Sequence, residues 1–321
     1  MRLVIMAGGA GTRLYPLSTE EHPKQFVKIF DGESLYQKTI KRYADYFDTT
    51  QVVTLKKYEA IAKEQAIEIG YDVEIIVEPA RKNTLAAITL AAMIDDEKMF
   101  VTPADHAMRI DEKRMKTIIN SLSSIDDKII LYGIKPRYPA TEYGYIQPGR
   151  KIGNLYEVKK FHEKPDENTA EEYIREGYFW NSGMFGITPK HFIKELEGHA
   201  PIYVEKVTKF LSDNDEFQYL ALPDLSIDYG LLEKTKNLIL APLDVYWSDL
   251  GSYKAIYEYL SKDDYGNAVI GNVKYYSVKN SLLISDSELN VCCFDDVVAV
   301  NWGGITYVGP LNNPRAPKKF T

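Results

Sequence analysis

Cysteine is almost absent from this chain of 321 residues: Cys292 and Cys293 are the only two, and they are neighbours. Adjacent cysteines do not suit a loop-closing disulfide, and two thiols are too few for a metal site with four cysteine ligands. We therefore expect free thiols that are buried or half-buried.

Long hydrophobic runs are missing as well. The longest uncharged apolar run, residues 84–94, is about half of the roughly 20 residues that cross a bilayer. The apolar stretch after Met1 stops at Gly8, which is too early for the core of a signal peptide. We predict a cytoplasmic protein with no membrane partner.

Positive charge is in deficit. Lysine and arginine number 39 against 46 aspartates and glutamates, which gives a net charge of −7, and no extended basic block occurs. Binding to the phosphate backbone of a nucleic acid requires a concentrated positive surface. We predict no nucleic-acid partner, and we expect any phosphate ligand to be small.

Hydrophobic patterning predicts an α/β fold. Up to about residue 135, short β-branched runs alternate with helical patterns, which is typical of a doubly wound, mostly parallel sheet with helices on its faces. The strands predicted in this part of the chain are 3–6, 51–54, 74–77, 99–102 and 129–132.

The pattern changes after residue 262. From Asp263 onward, short β-runs alternate with Gly, Asn and Asp, and no helical period is present. We predict one large domain at 1–262 and a small all-β domain at 263–321, which offers a docking surface for a homodimer. The turns of the small domain recur too irregularly to indicate a repeat.

A glycine-rich loop follows the first predicted strand, where residues 6–14 read MAGGAGTRL. Glycines let the backbone approach a ligand and turn N–H groups toward an anion, and Arg13 adds a charged donor. The loop lacks the Gly-Lys-Ser/Thr of a Walker loop, and Leu14 replaces the last glycine of a dinucleotide fingerprint. The glycines alone fit a plain turn equally well, but Lys24 in the following PKQF segment supplies a second cation.

Two aspartates stand out further along the chain. Asp105 follows the predicted strand 99–102, at the carboxyl end where open α/β sheets bind ligands. Asp249 lies in the segment 247–252, which reads WSDLGS. Taken singly, each aspartate is more often a turn or helix cap than a metal ligand.

These segments together resemble the sugar-1-phosphate nucleotidyltransferase family. The shared patterns are GGxGTRLxPLS at 8–18, PKQF at 23–26, PxDH at 103–106 and WxDxGS at 247–252. The resemblance implies that Asp105 and Asp249 bind Mg²⁺ and are catalytic together with Arg13 and Lys24. It also implies that the loop and its cations bind the nucleoside triphosphate, through Ala7, Gly8, Gly9, Gly11, Thr12, Arg13 and Lys24.

Other motifs resemble the part of the family site that binds the sugar 1-phosphate. They are YGYI at 143–146, FHEKP at 161–165 and NSGMF at 181–185. The resemblance places Lys164 at the phosphate, Glu163 at sugar hydroxyls, and Asn181 and the backbone of Gly144 at the sugar. The chemistry agrees, because a compact ammonium suits a phosphate dianion and a carboxylate accepts bonds from adjacent hydroxyls. Without the resemblance, the Glu-Lys-Pro segment would be a solvated turn.

The segment EPARKNT at 78–84 bears on the choice of base. It resembles the EPxxRNT run of guanylyl-specific members, with Lys82 where arginine is usual. Asn83 and Thr84 would supply donors and acceptors to a purine, although Asn83 fits equally well as the cap of a helix over 84–95. Asp228, in a segment that also resembles the family, receives no role, and the five histidines are expected to be structural or on the surface.

The resemblance covers nearly the whole chain and implies a reaction. An oxygen of mannose 1-phosphate attacks the α-phosphorus of GTP in line, which gives GDP-mannose and pyrophosphate. The attacking oxygen is already deprotonated, so no general base is needed. Another sugar 1-phosphate, such as heptose or glucose 1-phosphate, and a non-catalytic nucleotide-sugar-binding regulatory homologue remain alternatives. Longer members carry a cupin-type isomerase domain, which we do not expect here.

Overall fold

The computed structural model describes residues 1–9 and 11–313, and of Thr12 only the backbone is described. Ala10, which belongs to the glycine-rich loop, and residues 314–321, which end the predicted β domain, lie outside the described residues. Within the described part of the chain, no helix has both the length and the apolar character needed to span a bilayer.

Strands and helices alternate through most of the chain. The strands are β1 (Arg2–Met6), β2 (Thr49–Leu55), β3 (Glu74–Glu78), β4 (Met99–Pro103), β5 (Ala107–Arg109), β6 (Ile129–Ile134), β7 (Gly144–Ile152), β8 (Leu155–Glu163), β9 (Phe179–Ile187), β10 (Leu238–Leu243), β11 (Tyr246–Ser248), β12 (Ala268–Lys279), β13 (Leu282–Asp295), β14 (Val297–Trp302) and β15 (Ile305–Pro310). The helices are α1 (Leu35–Tyr43), α2 (Glu59–Glu68), α3 (Asn83–Ile94), α4 (Glu112–Ser124), α5 (Glu167–Arg175), α6 (Pro189–His199), α7 (Pro201–Asp213), α8 (Glu216–Leu220) and α9 (Tyr253–Tyr259).

The chain forms two compact units, each assembled from separate stretches. The first unit consists of Met1–Gly8, Ile40–Pro103 and Arg109–Trp247, and the second consists of Gly9–Thr39, Ala104–Met108 and the chain from Ser248 onward. The glycine loop is therefore divided after Gly8. The predicted boundary between residues 262 and 263 stays a prediction.

The first unit contains a nine-stranded sheet in the order β3-β2-β1-β4-β9-β6-β10-β8-β7. Parallel pairs join β3 to β2, β2 to β1, β1 to β4 and β6 to β10, whereas β8 and β9 are antiparallel to their neighbours. Every strand of this sheet except β8 and β9 therefore runs in one direction. The predicted α/β fold with a mostly parallel sheet is confirmed.

Helix α3 forms the centre of the core of the first unit. The sequence predicts an apolar stripe through Leu85, Ile88 and Ala92, but the structure buries every residue from 85 to 92. A helix that is hydrophobic on all sides belongs inside a core. The buried cluster around α3 includes side chains of β1, β4, β6, α6 and α7. This packing fixes where the strands end. Several predicted site residues come directly after a strand end in the sequence.

The second unit contains the C-terminal strands, which form a sheet in the order β12-β13-β14-β15. Ala268, Leu282 and Val298 lie side by side in parallel register and are buried. Parallel neighbours usually need a connection of about a dozen residues, but only Asn280 and Ser281 join β12 to β13. The chain therefore curls into stacked coils, and the predicted C-terminal β-rich segment is confirmed. The coils are unequal in length, which explains why the sequence shows no regular repeat.

Both cysteines lie near the end of β13, where they are free and exposed. Their sulfur atoms are 2.8 Å apart. The expectation of buried or half-buried thiols is wrong: Val291 takes the buried side of β13, so Cys292, the next residue, faces the opposite side.

Candidate functional site

The glycine loop packs on the segment that carries Lys24, within the second unit. Gly11 has a φ of 63°, and a Cβ there would lie 2.8 Å from both the Cβ and the backbone nitrogen of Lys24. Only glycine fits this conformation and this close approach. The side chain of Ser18 donates to the carbonyl of Gly11, and the Gln25 amide donates to the carbonyl of Gly9 over 2.9 Å. The loop is thus held by the residues that follow it.

The ammonium of Lys24 contacts two residues that are far apart in the sequence. Lys24 is 5% exposed, and its Nζ lies 2.9 Å from Oδ2 of Asp105. The same Nζ donates to the backbone carbonyl of Asp249. The two aspartates that the sequence singles out therefore lie within reach of one positive charge.

Arg13 extends this cluster on the side of Asp249. Its Nη2 lies 3.5 Å from Oδ2 of Asp249, and its side chain is 46% exposed. A Cβ on Gly251 would lie 2.7 Å from both Nη1 of Arg13 and Oδ2 of Asp249. The side chain of Ser252 caps α9 by accepting from the backbone of Ala255. The WSDLGS segment therefore combines a carboxylate, a close approach to Arg13 and a helix start.

The cluster favours an ionised Asp105. Burial by itself would raise the pKa of Asp105, but the neighbouring positive charges, that of Lys24 first, outweigh burial and lower the pKa to about 2. Burial lowers the pKa of His106, whose Nε2 lies 3.7 Å from Oδ1 of Asp105. At neutral pH the site therefore presents a carboxylate beside a neutral imidazole.

The oxygen atoms of Asp105 and Asp249 suit a divalent cation that obtains its other ligands from substrate and water. The Lys24 ammonium contacts a carboxylate oxygen of Asp105 and the backbone carbonyl oxygen of Asp249, whose carboxylate lies beside Arg13. Among the described residues no three His, Cys, Asp or Glu side chains are grouped closely enough to hold a metal by themselves. Mg²⁺ prefers such a sparse set, because it binds one or two carboxylates and completes its shell with substrate phosphates and water.

Gly8 is packed in the first unit against the segment that the sequence connects with base choice. A Cβ on Gly8 would lie 3.0 Å from Oε2 of Glu78, and Nε of Arg81 donates to the carbonyl of Gly8 over 3.2 Å. Ala7 precedes this contact and is buried, and its N–H donates to the carbonyl of Val53. The sequence alone gave no role to Glu78 or Arg81, although both belong to the EPARKNT segment.

Asn83 stands at the start of α3. Its φ of 63° lies outside the helical range, and its Oδ1 accepts from the backbone of Thr84. The hydroxyl of Thr84 accepts in turn from the backbone of Ile227. Both alternatives for Asn83, a helix cap and a contact with the base, therefore stay open.

Glu78 is a buried acid at the end of β3. It is 4% exposed, the hydroxyl of Tyr219 donates to it over 2.6 Å, and burial raises its pKa to about 7. Between its ordinary value of 4.5 and about pH 7, the folded chain keeps a proton that the unfolded chain has released. The free energy of unfolding should fall by about 3 kcal/mol as the pH rises through this range.

The variant Glu78→Gln tests this prediction. Glutamine still accepts from Tyr219 but does not titrate, so the variant should lose this part of the pH dependence. Urea unfolding at about pH 5 and about pH 8 measures the difference for both proteins. The same pH dependence in the variant and in the original protein would contradict the assignment.

The residues predicted to bind the sugar phosphate also converge, within the first unit. A Cβ on Gly144 would lie 2.5 Å from Oε2 of Glu163 and 3.3 Å from Cβ of Asn181. Lys164 donates to Glu163, whose side chain is 7% exposed. Burial opposes the charge of Lys164, but Glu163 outweighs burial and raises the pKa of Lys164. These predicted residues form one cluster.

Asp228 joins this cluster, although sequence reasoning assigned it no role. Its Oδ1 accepts from Nδ2 of Asn181 over 2.9 Å. Burial and the negative charge of Glu163 raise the pKa of Asp228 to about 6. The cluster therefore offers two carboxylates, an amide and an ammonium to a ligand. No local sequence pattern predicts that Asp228 belongs to this cluster, because its contact with Asn181 joins residues that are far apart in the sequence.

Comparison with known proteins adds independent findings. Residues 2–265 match a family model described as nucleotidyl transferase. A mannose-1-phosphate guanylyltransferase of Sinorhizobium fredii (strain NBRC 101917 / NGR234) is 37% identical over 96% of this chain and 64% of its own length. A protein of the same name from Escherichia coli is 36% identical over 89% of this chain and 67% of its own. The chain thus spans about two thirds of the length of these curated relatives.

Solved structures agree with this family match. A crystal structure described as a mannose-1-phosphate geranyltransferase from Thermus thermophilus has a TM-score of 0.90 and 29% identity. The alignment covers 99% of this chain and 97% of that chain. A structure described as a mannose-6-phosphate isomerase from Helicobacter pylori has a TM-score of 0.66 and 28% identity, over 77% of this chain and 100% of that chain.

Proposed function

Because the chain belongs to the nucleotidyl transferase family, we propose that it makes GDP-mannose and pyrophosphate from GTP and mannose 1-phosphate. The observation that carries the proposal is that one buried ammonium, that of Lys24, contacts both the carboxylate of Asp105 and the backbone carbonyl of Asp249. The names of the curated relatives support mannose 1-phosphate and a guanylyl nucleotide as the substrates.

Arg13 and Lys24 bind the triphosphate in this proposal. Their positive charges offset the negative charge that grows on the phosphates as pyrophosphate leaves, which is the main demand of phosphoryl-type transfer. The N–H groups of Gly8, Gly9, Gly11 and Thr12 orient the chain of phosphates, and Asn83 and Thr84 contact the base. Mg²⁺ held by Asp105 and Asp249 supplies further charge neutralisation at the phosphates when bound.

No side chain has to remove a proton from the attacking group. The phosphate oxygen of the sugar phosphate is already ionised at neutral pH, so the His106 imidazole next to the cluster, which burial keeps neutral by lowering its pKa, has no proton to accept from it. Catalysis then consists of aligning two anions that repel each other in solution. The chain contributes cations and orientation in place of acid–base chemistry.

The cluster around Glu163 binds the sugar 1-phosphate in this proposal. Lys164 has a side chain that is 54% exposed and meets the phosphate dianion. Glu163, Asn181 and Asp228 provide acceptors and a donor to the hydroxyls of the sugar, and the missing side chain of Gly144 makes room for the Glu163 carboxylate.

Replacing Lys164 by alanine should raise KM for mannose 1-phosphate by about 10- to 100-fold, because a charged hydrogen bond to the phosphate is lost. KM for GTP should change little. Steady-state kinetics with each substrate varied in turn measures both values. Lys160→Ala, which removes an exposed lysine of the preceding strand β8, is the matched control. A larger effect on GTP than on the sugar phosphate would remove Lys164 from this role.

Pyrophosphate release tests the function as a whole. The four nucleoside triphosphates are each combined with mannose, glucose and heptose 1-phosphates, and the rates are compared. GTP with mannose 1-phosphate should be the fastest pair. A faster reaction with another sugar phosphate would overturn the choice of mannose. Nucleotide-sugar binding without any pyrophosphate release would identify a regulatory homologue instead.

The cytoplasmic location and the homodimer stay predictions from the sequence.

A further inference from the structure

A tyrosine connects α9 to the turn that carries Arg13, within the second unit. The hydroxyl of Tyr253 lies 2.9 Å from the carbonyl oxygen of Leu14 and 3.0 Å from that of Tyr15. Leu14 ends the single helical turn Thr12–Leu14. Tyr253 therefore donates to the backbone immediately after Arg13.

The C-terminal strands hold this tyrosine in place. Tyr307 of β15 stacks on Tyr253, with ring centroids 5.7 Å apart and ring planes 19° from parallel. The two residues are 5% and 8% exposed, so the stacked pair is nearly closed to water. Arg13 lines one small cavity together with both tyrosines, with Val298 of β14 and with Leu311, which follows β15. The C-terminal strands and Arg13 thus border the same cavity.

The hydrogen bond from Tyr253 joins other bonds that hold the same turn. The Leu14 carbonyl also accepts from the backbone of Ser18 over 3.1 Å, and the side chain of Ser18 donates to the carbonyl of Gly11. The Tyr253 hydroxyl therefore adds to two hydrogen bonds from Ser18 that hold the backbone before and after Arg13. Burial raises the pKa of Tyr253, so its hydroxyl remains a donor at physiological pH.

We propose that Tyr253 is a positioning residue for Arg13, and that Tyr307 anchors Tyr253. The C-terminal β strands then have a part in the reaction, because they set the position of a phosphate-binding arginine through two stacked rings. The inference rests on the proposed function in one respect, namely that the ligand of Arg13 is the triphosphate.

Tyr253→Phe removes the hydroxyl and keeps the stacked ring. We expect KM for GTP to rise about tenfold while KM for mannose 1-phosphate stays the same, since the loss is that of a hydrogen bond which orients Arg13. Tyr257→Phe is the matched control, because its hydroxyl also donates to a backbone carbonyl, that of Gly266, from the same helix. In an Arg13→Ala background, Tyr253→Phe should add no further change. A tenfold effect that persists without Arg13, or an equal effect of Tyr257→Phe, would overturn the proposal.

Amide hydrogen exchange gives a readout that does not need the enzyme reaction. Exchange of the peptide covering residues 11–18 should become about tenfold faster in Tyr253→Phe and should not change in Tyr257→Phe. Tyr307→Leu should speed the same peptide. Unchanged exchange in Tyr253→Phe overturns the positioning role whatever the substrate is. Faster exchange in a protein that releases pyrophosphate from no nucleotide would instead contradict the proposed function and leave the positioning intact.

Discussion

Asp105→Asn and Asp249→Asn should each lower kcat for pyrophosphate release by about 10²- to 10³-fold in the folded protein, although Asp105→Asn also destabilises it by leaving the buried Lys24 ammonium without its carboxylate. Each change removes one of the carboxylates that we propose as ligands of Mg²⁺, and a metal at the phosphates contributes several kcal/mol to such a reaction. Asparagine preserves the shape of the side chain, so the loss reports the charge. The measurement is kcat over a wide range of Mg²⁺ concentrations, with circular dichroism to check folding.

Asp264→Asn is the matched control for this pair. Asp264 is an exposed aspartate of the second unit, and its replacement should leave kcat unchanged. Rates close to normal at saturating Mg²⁺ in either Asp105→Asn or Asp249→Asn would defeat the assignment of these carboxylates to the metal.

Lys24→Met should lower kcat/KM for GTP by about 10²- to 10³-fold. The change removes a buried cation that offsets phosphate charge, and it also leaves the ionised Asp105 without its partner. Breaking such a buried pair destabilises a protein by about 3 to 5 kcal/mol, and unfolding by itself lowers activity. Urea unfolding has to accompany the kinetics.

The double variant Lys24→Met/Asp105→Asn separates the two effects. It removes both charges of the pair, so it should recover much of the stability that Lys24→Met loses. Activity should stay low, because neither the cation nor the metal ligand is restored. Lys28→Met, at an exposed lysine of the same segment, is the control for removal of a lysine. Recovery of activity together with stability in the double variant would show that Lys24 acts only on the fold.

Part of this architecture follows directly from the sequence. Strands buried on both faces appear as continuous apolar runs, which is why β1, β4 and β6 are predictable to within a residue or two. The glycines of the loop and the nearby Arg13 and Lys24 indicate an anion site through local chemistry alone. Local patterns therefore predict the sheet and the phosphate-binding loop.

Local patterns do not predict that Asp105 and Asp249 lie close together. Nothing in their spacing requires them to meet, and only the resemblance to a known family predicted it. Asp228 and Glu78 are two more residues whose surroundings local patterns do not predict. Their hydrogen-bond partners, Asn181 and Tyr219, lie far away in the sequence. The exposure of Cys292 likewise depends on which side of β13 faces the buried cluster around Val291. Long-range partners set these properties, and periodicity carries no information about them.

The central claim is that Asp105 and Asp249 hold one divalent cation beside a triphosphate. Anomalous diffraction from crystals grown with GTP and Mn²⁺ tests it most directly, because manganese identifies itself in the map. The account predicts a manganese peak bonded to a carboxylate oxygen of each aspartate and to GTP phosphate oxygens. A manganese peak that lacks either carboxylate, or GTP bound away from Arg13 and Lys24, would contradict it.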